Sequence, residues 1–97
     1  MDVLLIEDDR RIAALVDRGL RQDGHRVSIA HCGNEGADKM LAHSYDVALL
    51  DILLPGMTGL SVLEKVRSHH CTTPILRAPV RTLFNARQAL CRGSSLE

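Results

Sequence analysis

A chain of 97 residues has room for one hydrophobic core, because separate domains rarely form below about 50 residues each. Hydrophobic residues make up 45% of it and charged residues 25%, which excludes a disordered chain, a collagen-like repeat and a disulfide scaffold. Lys plus Arg and Asp plus Glu are equal at 12 each, so no overall field favours nucleic acid or an anionic membrane, and any site must be local.

The balance conceals an asymmetry. Residues 1–76 hold eight basic and eleven acidic side chains, whereas residues 77–97 hold Arg77, Arg81, Arg87 and Arg92 against Glu97 alone. Cys32, Cys71 and Cys91 form no CxxC pair and are odd in number, which fits reduced thiols in a cytoplasmic protein. No basic region precedes the first apolar run, and no apolar stretch nears the roughly 18 residues that span a bilayer, so neither secretion nor membrane insertion is expected. One Phe, one Tyr and no Trp leave few rings for stacking on bases, which argues against direct nucleic-acid contact by this chain.

Val3-Leu4-Leu5-Ile6 is a continuous β-favouring run that stops at Glu7-Asp8-Asp9, the pattern of a parallel strand buried on both faces. From Arg10, apolar positions at Ile12, Leu15, Val16, Gly19 and Leu20 predict a helix, with Asp9 as its N-cap and Gly24 at its C-terminal end. Arg26 to Ala30 alternates as a second strand, and Ala37, Met40 and Leu41 mark a second helix after Gly33-Asn34. Tyr45 to Leu50 is a third apolar run that ends, like the first, at a carboxylate, Asp51. A Pro/Gly loop through Pro55-Gly56 follows, then a third helix on Leu60, Leu63 and Val66 with Thr58 as cap. Pro74-Ile75-Leu76 opens a fourth strand that Arg77, Pro79 and Arg81 cut short, because Pro lacks a ladder donor and buried charge is costly. Thr82 to Arg92 has the spacing of one amphipathic helix before a frayed end. The domain reading is therefore a core over 1–76 and an atypical tail over 77–97.

Strand-helix alternation implies an α/β fold with a doubly wound parallel sheet and right-handed crossovers. Sites in such sheets lie outside the carboxyl ends of the strands, where strand order reverses. Glu7, Asp8 and Asp51 are expected there. Three clustered carboxylates repel, so at least one has a raised pKa unless a cation is present, and hard oxygen donors of this number suit Mg2+ better than Ca2+. Asp8 and Asp51 can bind directly and Glu7 through water, while Asp51 at the strand tip can act as a nucleophile toward phosphorus. Acids after strands are equally the mark of helix caps and solvated turns, and spacing alone leaves both readings open. Asp9 reads as a cap, and His69-His70-Cys71 as a solvated turn rather than a zinc site. Met40 and Met57 read as packing residues. His25, His31 and His43 receive no role.

The stretches Val3–Asp9, Tyr45–Gly59 and Thr73–Leu76, taken together, resemble the receiver domain of bacterial two-component response regulators, most closely receivers attached to winged-helix transcription factors. The resemblance implies a flavodoxin-like receiver fold and a phosphoryl group accepted on Asp51 from a phosphohistidine of a sensor histidine kinase. It also implies Mg2+ held by Glu7, Asp8, Asp51 and the backbone carbonyl of Leu53, with Pro55-Gly56 shaping the loop that presents that carbonyl. A full-length relative would bind DNA through a further domain.

The family also uses a hydroxyl residue at the end of the fourth strand and a lysine ending a fifth. Pro79 stands where the hydroxyl is expected, Thr82 is out of register, and Lys39 and Lys65 fall on predicted helices. The fold is therefore expected to be incomplete at its C-terminal end and impaired in switching, with an exposed fourth strand that favours a homodimer or a domain-swapped oligomer. Two functions follow from different classes. One is a phosphoacceptor module that is not an enzyme beyond its own modification; the other is a phosphorylation-independent dimerisation or interaction module. A metal-dependent phosphohydrolase ranks last, since Ile52 and Leu53 after Asp51 supply no second acid for proton transfer.

Overall fold

The computed structural model describes residues 1–51 and 59–78. Seven elements alternate along it: β1 (Asp2–Ile6), α1 (Arg10–Gln22), β2 (Arg26–Ala30), α2 (Gly33–Ala42), β3 (Val47–Asp51), α3 (Gly59–Ser68) and β4 (Ile75–Ala78). All pairings are parallel, in the order β2-β1-β3-β4. The chain leaves β1 toward β2 on one side and continues from β3 toward β4 on the other. The reversal therefore falls between the two strands that end in acid.

β1 and β3 are central, and their apolar runs are buried on both faces as expected. Val3 and Leu5 of β1, with Val47 and Leu49 of β3, pack against Ala13, Val16 and Leu20 of α1. Leu4, Ile6, Ala48 and Leu50 face the opposite layer, where Ala37 and Met40 of α2 meet Val62 and Val66 of α3. Gly36 lets α2 approach β1 closely: a Cβ built there would lie 2.7 Å from Ile6 Cγ1.

The helix stripes differ in phase from the sequence reading. Leu15 is 48% exposed and Leu60 56% exposed, while Ala13 and Val62 take the inward positions. The reason is geometric: Ala13-Val16-Leu20 and Gly59-Val62-Val66 each hold one helix face, and Leu15 and Leu60 sit about 100° off those faces. Leu41, expected to mark the α2 core face, is also exposed, and Met40 fills that place. β4 runs on to Ala78, past Arg77. Among the described strands β4 pairs with β3 alone, and the Arg77 side chain is exposed. Pro79, expected to cut the strand short, lies outside the described residues. The Thr58 cap, Met57 and the tail helix over 82–92 lie outside the described residues, and no fifth strand is among the described elements.

Candidate metal centre

Glu7 is the first residue beyond β1, and its backbone N–H donates to Ala30 O at 2.9 Å, so the ladder to β2 extends one rung past the strand. The chain then turns. Asp9 N–H donates to Glu7 Oε1 at 2.9 Å, and Asp9 Oδ1 accepts from the N–H groups of Arg11 and Ile12 at 3.0 and 3.3 Å. Asp9 is thus the N-cap of α1, its carboxylate occupied by helix donors that would otherwise be unpaired. That leaves Glu7 and Asp8 at the carboxyl end of the sheet, beside Asp51 at the tip of β3.

The three side chains converge. Glu7, Asp8 and Asp51 each offer a carboxylate oxygen, and these atoms lie within 4.8 Å of one another. Glu7 and Asp51 are 1% and 2% exposed, whereas Asp8 is open to solvent at the mouth. Burial pushes the Glu7 carboxyl from 4.5 up to about 8; the hydrogen bond from Asp9 N–H opposes this, and the neighbouring Asp51 carboxylate adds to it. Glu7 Oε2 is buried and has no hydrogen-bond partner among the described residues. A buried carboxylate oxygen without a donor is costly, and a cation at the centre of the group would satisfy it. The donor set is all oxygen, the chemistry that small divalent ions prefer. Leu53 and its carbonyl lie outside the described residues.

The other metal-capable side chains among the described residues do not converge in this way. His69 and His70 are exposed at the end of α3, with His69 Nδ1 against Lys65 O at 2.9 Å, while Cys71 Sγ turns toward Met40 O and Thr73 Oγ1. One neighbour of the site escaped sequence reasoning: His31 Nδ1 lies 3.1 Å from Glu7 O. Its position directly after β2 was the available signal, but the contact joins residues 24 apart in sequence, and no spacing pattern reports it.

The sequence model of the response regulator receiver domain matches residues 3–93. The chain belongs to the response regulator receiver domain family. The match runs beyond residue 76, where the residue-by-residue resemblance thins, and into the Arg-rich segment. Relatives include the uncharacterized transcriptional regulatory protein YkoG of Bacillus subtilis, 37% identical over 81% of this chain and 35% of its own length. The transcriptional regulatory protein DltR of Streptococcus agalactiae is 41% identical over 78% of this chain and 34% of its length. The chain thus spans about a third of the length of these regulators. Among solved structures, the Francisella response regulator 1452 receiver domain is 26% identical with a TM-score of 0.76, covering 98% of this chain and 79% of that one. The response regulator TrrA of Thermotoga maritima, solved in complex with Mg2+-BeF, is 29% identical with a TM-score of 0.72 over 84% of this chain and 72% of that one.

Proposed function

We propose that this receiver accepts a phosphoryl group on Asp51 from the phosphohistidine of a sensor histidine kinase, with Mg2+ held by Glu7, Asp8, Asp51 and the carbonyl of Leu53. The observation that carries the reading is the convergence of the three carboxylates at the tips of β1 and β3, with Glu7 Oε2 buried and unpartnered. The divalent ion, when bound, neutralises negative charge on the transferring phosphoryl oxygens. Asp51 supplies the nucleophile: one carboxylate oxygen forms the bond to phosphorus, the phosphorus–nitrogen bond of the donor breaks, and its electron pair returns to the imidazole, which takes up a proton from water. The product is an acyl phosphate on Asp51. Burial of Asp51 in the strand tip fixes its approach, and the exposed Asp8 side marks the open face from which a donor can enter.

Transmission of that state is read as impaired. Lys39 lies on α2 and Lys65 on α3, where Lys65 Nζ is 3.3 Å from Asp38 Oδ1, so neither occupies the end of a strand beside Asp51. Pro79 follows β4 where the family carries a hydroxyl. The protein modifies only itself and is not otherwise an enzyme. In the longer regulators a further domain would engage DNA, and a kinase donor places the exchange in the cytoplasm. Among the described residues no helix is long and apolar enough to cross a membrane. Incubation with a small phosphoryl donor and Mg2+ should add one phosphoryl group by intact mass, and Asp51→Asn should remove it. A wild-type chain that binds Mg2+ yet stays unmodified, while self-associating, would replace this reading with that of a phosphorylation-independent dimerisation module.

A further inference from the structure

We propose that His31 is a positioning residue for the acidic turn: its ring donates Nδ1–H to the Glu7 carbonyl, fixes the peptide between Glu7 and Asp8, and so aims both carboxylates at one cation. A carbonyl oxygen only accepts, so the 3.1 Å contact sets the proton on Nδ1. The Glu7 backbone is then gripped on both sides by the end of β2, its N–H by Ala30 O at 2.9 Å and its C=O by the His31 ring. Because a peptide is a rigid plane, holding that carbonyl fixes ψ of Glu7 and φ of Asp8 together. Those two angles decide where the Asp8 side chain points relative to Glu7. β2 ends at Ala30, and the His31 ring supplies the donor that a further rung of the ladder would have given.

The His31 backbone is itself held from α2. His31 N–H donates to Glu35 Oε1 at 2.7 Å, and Glu35 N–H donates back to Cys32 Sγ at 3.5 Å, so the first turn of α2 clamps the residue that clamps Glu7. This is the arrangement of a capping box shifted by one residue at its donor end. Partners behind metal ligands are known to carry a sizeable part of the affinity. The role presupposes that Glu7 and Asp8 hold a cation, but its geometric core is testable without one.

Two readouts decide it. In the metal-free protein, the Asp9 amide, bonded to Glu7 Oε1, reports the turn by hydrogen exchange. His31→Ala should speed its exchange about tenfold or more and weaken Mg2+ binding by calorimetry by about tenfold. His31→Asn, whose amide can place a donor where Nδ1 stands, should stay near wild type in both, and His31→Gln, with its donor one bond farther out, should behave as His31→Ala. Unchanged Asp9 exchange in His31→Ala overturns the role, as does an Asn variant as impaired as the Ala variant, which would mark packing alone. If the wild type takes up no Mg2+, the proposed function falls, and the Asp9 exchange series still decides the positioning role.

Discussion

The two ends of the central strands use the same residue types to opposite effect. At the amino end, Asp2 accepts from Arg26 Nε at 2.6 Å and Asp46 accepts from Asp2 N–H at 2.7 Å, both in exposed positions. At the carboxyl end, Glu7 and Asp51 are buried together, and Glu7 Oε2 has no hydrogen-bond partner among the described residues. Acids that the chain neutralises itself are structural. A buried carboxyl oxygen left without a donor, as at Glu7, marks where a partner from outside would satisfy it, and the contrast locates the site without reference to any relative.

Removing charge should therefore act oppositely at the two ends, and the largest difference should be in metal affinity. Asp8→Ala is expected to weaken Mg2+ binding at least about tenfold, while Asp46→Ala leaves it unchanged, by calorimetric titration. A comparable loss in both variants would break the contrast.

Stability of the metal-free chain gives the second test. Below pH 4.5 Glu7 is protonated whether the chain is folded or unfolded. Between 4.5 and about 8 the unfolded chain releases this proton and the folded chain keeps it, so stability falls as pH rises, and the contribution of Glu7 has reached its full loss above about 8. Glu7→Gln should remove that fall, raising metal-free stability at pH 8 by on the order of a few kcal/mol, and Mg2+ should protect only the wild type. Thermal melts across this pH range, with and without Mg2+, would show it.

Packing beneath the acidic turn comes next. Gly36→Val places methyl groups against the fully buried Ile6, directly before Glu7, and should cost about 1–3 kcal/mol in urea unfolding. Gly19 on α1 has nothing within 4 Å of a built Cβ, so Gly19→Ala should instead stabilise by up to about 1 kcal/mol. The smallest effect belongs to the amino end: Asp2→Asn should lower stability by less than about 1 kcal/mol, and the loss should vanish in high salt, because the pair with Arg26 lies in solvent.

Much of this was legible in the chain itself. Continuous apolar runs that halt at Glu7 and Asp51 specify strands buried on both faces, since only such strands exclude polar residues at every position. Asp9 announced itself as a cap by its place between an apolar run and a helical stripe. The outward turn of Leu15 and Leu60 was not legible, because a stripe of helical period leaves its phase open until a neighbouring layer selects one face.

The sequence by itself determined the parallel α/β layering and the acids that close its two central strands, through local periodicity and the abrupt change from apolar to charged residues. Only the tertiary structure decided that β1 and β3 lie side by side, that Glu7 is buried with an orphaned oxygen, and that His31 reaches back to its carbonyl. Those facts depend on contacts between residues far apart in the chain, and desolvation and hydrogen bonding at such contacts exist only once the layers have closed.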